Sequence, residues 1–111
     1  MMDLDRLTSP AVCTVDFSVV PIGSQSPSFS REIAEIQQLM QQSGLKFQMH
    51  ATGTTVEGSW EQVARVIGCA HTMPHQEGIP RIQTDVRMIT RMDKIKPLEE
   101  NIRTVQNILS P

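Results

Sequence analysis

Few side chains in this chain have both the type and the spacing for chemistry, and most of those spacings close a route. His71 and His75 are four apart, which would put two imidazoles on one helix face as a start to a metal site. Pro74 lies between them, biases residue 73 away from helix and is expected to end the element before itself. With no third ligand at hand, no metal site is expected. Ser24, His50 and Asp85 can be assembled into a Ser-His-Asp set, as in most chains, but no nucleophile elbow, catalytic-cysteine signature or glycine-rich phosphate loop accompanies them. No catalytic residue and no cofactor are therefore expected. Cys13 and Cys69 are too few for a disulfide scaffold and lack C-x-x-C spacing, so both are expected as buried reduced thiols.

Composition narrows the function classes further. A formal net charge of -2 and a pI near 5.9, with no Lys/Arg run, argue against a nucleic-acid partner, because neutralising phosphates needs a clustered basic surface. No apolar stretch approaches the roughly 18 residues a membrane span needs, and residues 1–10 have no signal-like apolar run, so a cytoplasmic location without a membrane partner is expected. The length of 111 residues suits one domain. Hydrophobic residues at 39% supply an aliphatic, Met-rich core, and only 4% are aromatic. A domain this small gains from oligomerisation.

The elements that must carry these residues follow from periodicity. Residues 1–10 have no period and are expected as a flexible tail, with one domain over 11–111. Alternation from Ala11 to Val20 predicts a first strand. Ser28 or Ser30 is the expected N-cap of a helix whose apolar face carries Ile33, Ile36, Leu39 and Met40 and which Gly44 ends. Leu45, Phe47, Met49 and Ala51 alternate with polar neighbours as a second strand, and Gly53 to Gly58 reads as a tight turn plus a short third strand. Gly53 and Gly58 are expected there for turn geometry. Ser59 with Gln62 makes a capping box for a helix lined by Trp60, Val63, Ile67 and Ala70, with Trp60 expected as a core anchor. Ile82 to Met88 alternate as a fourth strand running to Thr90, and Pro97 opens a last amphipathic helix with Leu98, Ile102, Val105 and Leu109.

The order β-α-β-β-α-β-α predicts an α+β fold: a ferredoxin-like βαββαβ sandwich with an antiparallel sheet, helices on one face and an extra C-terminal helix. Its other sheet face would be bare. That face would display His50 and Thr52 from the second strand with Asp85 and Arg87 from the fourth, a polar surface suited to another sheet or a small polar ligand.

Four short segments at matching spacing then carry a family resemblance: Val20-Pro21-Ile22-Gly23, Ser43-Gly44-Leu45, Gly53-Thr54-Thr55-Val56-Glu57-Gly58 with Trp60, and Arg81 through Thr84-Asp85 to Arg91-Met92-Asp93-Lys94. Together they resemble the YkoF-like thiamine-binding family over nearly Val12 to Leu109. The resemblance implies a homotetramer built as a dimer of sheet-to-sheet dimers, and binding of thiamine or its hydroxymethylpyrimidine part without turnover. A small enzyme acting on a pyrimidine-type metabolite, or a structural or regulatory interaction module, stays open as an alternative. Met92 and the longer tail depart from the family pattern.

Such a ligand has a cationic thiazolium, an aminopyrimidine edge and a hydroxyethyl group, so its site needs a carboxylate, hydroxyls or amides, and an apolar wall. Glu57, Thr54 and Thr55 are the implied ligand-binding residues, beside His50, Thr52, Asp85 and Arg87. Arg81 and Arg91 are the expected interface residues, Arg91 by forked contacts across a subunit boundary; the alternative to a ligand role for Asp85 is an interface ion pair with its neighbours Arg81 and Arg87.

Overall fold

The computed structural model describes residues 2–23, 27–93 and 97–110. After a 3-10 turn at Leu4–Arg6 come β1 (Cys13–Pro21), α1 (Ser30–Ser43), β2 (Lys46–His50), β3 (Gly53–Gly58), α2 (Trp60–Gln76), β4 (Ile82–Ile89) and α3 (Leu98–Leu109). The sheet has the order β2-β3-β1-β4, and every neighbouring pair is antiparallel. This is the ferredoxin-like α+β arrangement that periodicity predicts.

Strand alternation divides the sheet into two chemically different faces. Cys13, Val15 and Phe17 of β1 and Val56 of β3 are buried with Ile36 and Met40 of α1 and Val63, Ile67 and Ala70 of α2, which makes one aliphatic core between sheet and helices. The partners in register on the opposite face are mostly polar: Asp16 lies between Thr55 and Arg87, and Thr14 between Glu57 and the exposed Ile89. A one-residue slip would exchange these sets, so burial of the apolar one holds the register.

Local signals end most elements where they stand in the chain. Gly44 adopts φ 75° after α1, a left-handed C-cap that a Cβ disfavours. Ser59 accepts the Gln62 backbone N–H at 3.2 Å while the Gln62 side chain accepts the Ser59 N–H at 3.2 Å, completing the capping box. We expect Ser59→Ala to lower unfolding free energy by about 1 kcal/mol in urea denaturation; an unchanged midpoint would mean that the box adds nothing. The first helix departs from expectation: its N-cap is Phe29 without a side-chain cap, and Ser28 instead accepts the Ser30 N–H at 3.4 Å.

Pro74 does not end α2. The helix continues through it to Gln76, because the donor that proline lacks is missing only in the last turn, while its ring is fully buried against the core. The end is closed by Glu77 N–H to Pro74 O at 3.1 Å and Gly78 N–H to His75 O at 3.0 Å. Two further expectations are corrected here. Cys13 is buried, and that burial pushes its thiol pKa up, but Cys69 is exposed. Trp60 stands 38% exposed at the start of α2 beside β4, so it is a rim residue and no core anchor.

The third helix stands outside the two-helix layer. Its first turn is tied to β2 by Lys46 Nζ to Glu99 Oε1 at 2.9 Å, a contact that raises the Lys46 pKa and lowers that of Glu99. Val105, Ile108 and Leu109 on this amphipathic helix are exposed. The N-terminal segment meets α2 through Trp60 N–H to Pro10 O at 3.1 Å and through the Ser9 hydroxyl donating to Glu61.

Candidate ligand-binding site

At one end of the sheet the β2–β3 turn and the last residues of β1 leave a gap that α1 does not fill. The gap is a cavity of about 620 Å³, within the range of small-molecule pockets. Its walls are mainly apolar: Phe17, Val19 and Val20 from β1, Ile33 and Ile36 from α1, and Met49 from β2. Ser18, Gln37, His50, Thr52 and Thr54 supply the polar groups. An apolar cavity with a few convergent polar groups suits a flat, partly polar molecule.

Gln37 is the most informative of these groups. It occupies the core side of α1 between Ile36 and Met40, and its Nε2 donates to Thr54 Oγ1 at 2.9 Å. Thr54 is itself buried, facing the helices. The Gln37 Oε1 is buried without a hydrogen-bond partner among the described residues. An unmet buried acceptor costs about 1–3 kcal/mol, and a bound donor would remove that cost.

His50 connects the cavity to the opposite face of the sheet. Its Nε2 lies 2.5 Å from Asp16 Oδ1, and its Nδ1 faces the Thr52 N–H at 3.4 Å and the Thr52 hydroxyl at 3.5 Å. A carboxylate can only accept, so the Asp16 contact is made by a proton on His50 Nε2. Asp16 Oδ2 also lies 4.0 Å from an Arg87 nitrogen. A carboxylate thus stands behind the imidazole at the cavity rim.

Gly53 sets how closely this end of the sheet can pack. A Cβ at Gly53 would lie 2.6 Å from the Phe17 carbonyl oxygen and 3.1 Å from the His50 ring. At Gly58 it would meet Leu45 at 3.2 Å. Neither glycine has positive φ, so turn geometry does not require them; at Gly53 the approach of the Phe17 backbone is what excludes a side chain, whereas at Gly58 the nearest atom belongs to the Leu45 side chain.

The expected site residues fall into separate groups. His50, Thr52 and Thr54 line the cavity, with Thr52 in the turn and Thr54 on the inner face, not on the outer face with Asp85. Thr55, Glu57 and Arg87 are on the open face, in register with β1 residues Asp16, Thr14 and Asp16 respectively, and Asp85 opposes Ser18. Asp85 accepts from Gln83 Nε2 at 2.9 Å, and among the described residues no ion pair joins it to Arg81. Arg81 precedes β4 and offers its carbonyl to the Ile22 N–H at 2.9 Å. Arg91 makes a forked pair with Asp93, at 2.9 and 2.7 Å, which raises the guanidinium pKa.

Ser24 and Lys94 lie outside the described residues. Of the assembled triad, His50 and Asp85 sit on opposite edge strands of the sheet. His71 and His75 do share a helix face, with ring centroids 5.4 Å apart, since α2 runs on through Pro74. Their Nδ1 atoms are engaged by Thr84 Oγ1 at 2.6 Å and Ile79 O at 2.8 Å. No cluster of three metal-ligating side chains occurs among the described residues. Gln37 and Asp16 are the candidate site residues that sequence reasoning missed.

Comparison with known proteins gives this geometry a family. Residues 15–106 match the family described as thiamine-binding protein. The chain is 40% identical over 96 residues to the UPF0045 protein ECM15 of Eremothecium gossypii, covering 86% of this chain and 91% of that protein. It is 32% identical over 100 residues to the UPF0045 protein YqgV of Bacillus subtilis, covering 86% and 96%. A hypothetical protein from Methanocaldococcus jannascii has the same fold at TM-score 0.76 and 20% identity, covering 86% of this chain and 97% of that one. A Thermotoga maritima protein, proposed to act in thiamine biosynthesis or salvage, superposes at TM-score 0.71 and 20% identity over 85% and 98%. With the match extending from the third residue of β1 into α3, this chain belongs to the thiamine-binding protein family.

Proposed function

We propose that this protein binds thiamine, or its hydroxymethylpyrimidine moiety, in the cavity between α1 and the β2–β3 turn and releases it chemically unchanged. The observation that carries this reading is a cavity with mainly apolar walls and a few convergent polar side chains, among them Gln37, whose buried Oε1 has no hydrogen-bond partner among the described residues. An exocyclic pyrimidine amino group is a planar N–H donor suited to that oxygen, and Phe17, Ile36 and Met49 supply apolar walls for the ring. His50, with Asp16 behind it, and Thr52 stand at the rim where the polar remainder of the ligand would emerge. Thr55, Glu57, Asp85 and Arg87 are on the far face, where a second subunit would meet them in a homotetramer built as a dimer of dimers. Membership of a thiamine-binding family supports the ligand class, and the proposed setting is the cytoplasm.

Calorimetric titration with thiamine and with hydroxymethylpyrimidine tests the proposal. Both are expected to bind, and Gln37→Leu is expected to weaken both about fivefold or more, because they share the pyrimidine that meets Oε1. No heat from either at millimolar concentration would sink the proposal. Chemical conversion of the pyrimidine by purified protein would replace it with an enzymatic role.

A further inference from the structure

His71 and His75 lie outside the ligand cavity, and the fold gives them a geometry that a helix ended by Pro74 would lack. Because α2 runs through Pro74 to Gln76, the two imidazoles stand about one turn apart on one face, with ring centroids 5.4 Å apart. Two imidazoles bound to one tetrahedral ion at about 2.0–2.1 Å per nitrogen have ring centres about 5 Å apart, so the pair already has the spacing of a chelate. Each ring is also held in place by a second segment of the chain. His75 Nδ1 lies 2.8 Å from the Ile79 carbonyl oxygen, which can only accept, so Nδ1 carries a proton and the neutral ring keeps its lone pair on Nε2. His71 Nδ1 lies 2.6 Å from Thr84 Oγ1, a hydroxyl that can accept in the same way. Neither Nε2 has a hydrogen-bond partner among the described residues. A ring N–H given to a backbone carbonyl, with the other nitrogen left open, is the usual support of a metal-ligating histidine.

We infer that His71 and His75 chelate a divalent transition-metal ion of the imidazole-preferring kind, Zn²⁺, Ni²⁺ or Cu²⁺, through their Nε2 atoms. Ligand type chooses the class of ion. Two neutral ring nitrogens suit these metals, whereas Mg²⁺ and Ca²⁺ require oxygen ligands. Position favours a cation as well, because His75 stands in the last turn of α2, where the helix carbonyls carry negative partial charge. His75 is exposed and His71 half-buried, so an ion reaches the pair from solvent. No cluster of three His, Cys, Asp or Glu side chains forms among the described residues, so water completes the coordination and the affinity falls in the micromolar range, below that of closed four-ligand sites. The bound ion braces the last turn of α2, where Pro74 offers no donor. Through the two Nδ1 contacts it also ties that turn to Thr84 of β4 and to Ile79 in the connection before it.

Calorimetric titration of the full chain with NiCl₂ tests this, in a Cys69→Ser background that removes the exposed thiol as a competing ligand. One Ni²⁺ per chain with a Kd of about 1–10 μM is expected, and no heat from MgCl₂. His75→Ala is expected to weaken Ni²⁺ about tenfold or more. The double variant His75→Ala/Gln76→His should lose as much, since it keeps the number of histidines but turns the second off the shared face. Undiminished Ni²⁺ affinity in either variant, or equal heat from MgCl₂, would overturn the inference. Should a variant disturb the helix end, imidazole nitrogen NMR on the Cys69→Ser chain gives an independent reading. ZnCl₂ is expected to shift the Nε2 signals of His71 and His75 together and to leave those of His50 in place. Movement of one ring of the pair without the other, or of His50 alone, would also overturn it. Because neither His71 nor His75 lines the ligand cavity, the Ni²⁺ result stands apart from the thiamine titration: either can fail while the other succeeds.

Discussion

Met40→Ala is expected to lower the unfolding free energy by about 2–5 kcal/mol, the largest loss from any single truncation considered for this chain. Met40 has no exposed surface, and its neighbours in the core come from three elements: Val15 and Val56 on the sheet, Val63 and Ile67 on α2. Truncation leaves a void that two strands held by their hydrogen-bond ladders cannot collapse to fill. The core is thin in aromatics, so few large side chains are at hand to swing inward. Urea denaturation at several protein concentrations is the measurement, because an associating chain gains apparent stability with concentration. A loss below about 1 kcal/mol would mean that the helix layer rearranges over the site and that the core is not closed in the way the burial pattern indicates. Met40 is absent from the cavity lining, so ligand affinity per folded molecule should be unchanged.

How much of this was legible beforehand depends on whether a feature arises from the chain's own periodicity or from contacts between distant segments. The strands and helices are local: period-two and helical spacing, the Ser59–Gln62 box and Gly44 place them to within a residue or two of their observed bounds. Pro74 is where a local rule failed. A proline usually ends a helix through its lost donor and its clash with the preceding turn, yet here the loss falls in the final turn and burial of the ring offsets it. Trp60 failed differently, because helical spacing gives a face but cannot say whether a neighbouring strand extends far enough to cover it.

The cavity depended on tertiary proximity. His50, Thr52 and Thr54 could be picked from the β2–β3 region by type, but nothing local divides Thr54, which turns inward, from Thr55, which turns outward, until the register of β3 against β1 is known. Gln37 did leave a signal. It is a polar residue inside an apolar helical stripe, four positions after Ile33 and next to Ile36, and such a residue needs either a partner or a ligand. Asp16 left a comparable one as a carboxylate on the first strand, which the β-α-β-β-α-β order makes central, flanked by neighbours on both sides. Both signals depend on asking which polar residues occupy positions that burial or central placement would make costly.

The same reasoning gives Gly53→Ala the second large effect, and one that separates binding from stability. The added methyl would approach the Phe17 carbonyl oxygen to 2.6 Å, and a backbone atom in the middle of a paired strand cannot rotate away as a side chain can. The β2–β3 turn must therefore move off β1, at a cost of about 1–3 kcal/mol. That displacement carries His50, Thr52 and Thr54, which line one side of the cavity, and stretches the Gln37–Thr54 bond that aims the free oxygen. Thiamine affinity should fall by tenfold or more in calorimetric titration below the variant's melting range. Gly44→Ala is the matched control: its φ of 75° makes a side chain unfavourable by about 1 kcal/mol, but a Cβ there meets nothing within 4 Å and Gly44 is not among the cavity residues. Both substitutions should destabilise, and only the one at Gly53 should weaken the ligand. Comparable loss of affinity in both would detach binding from the β2–β3 turn and move the site elsewhere on the molecule.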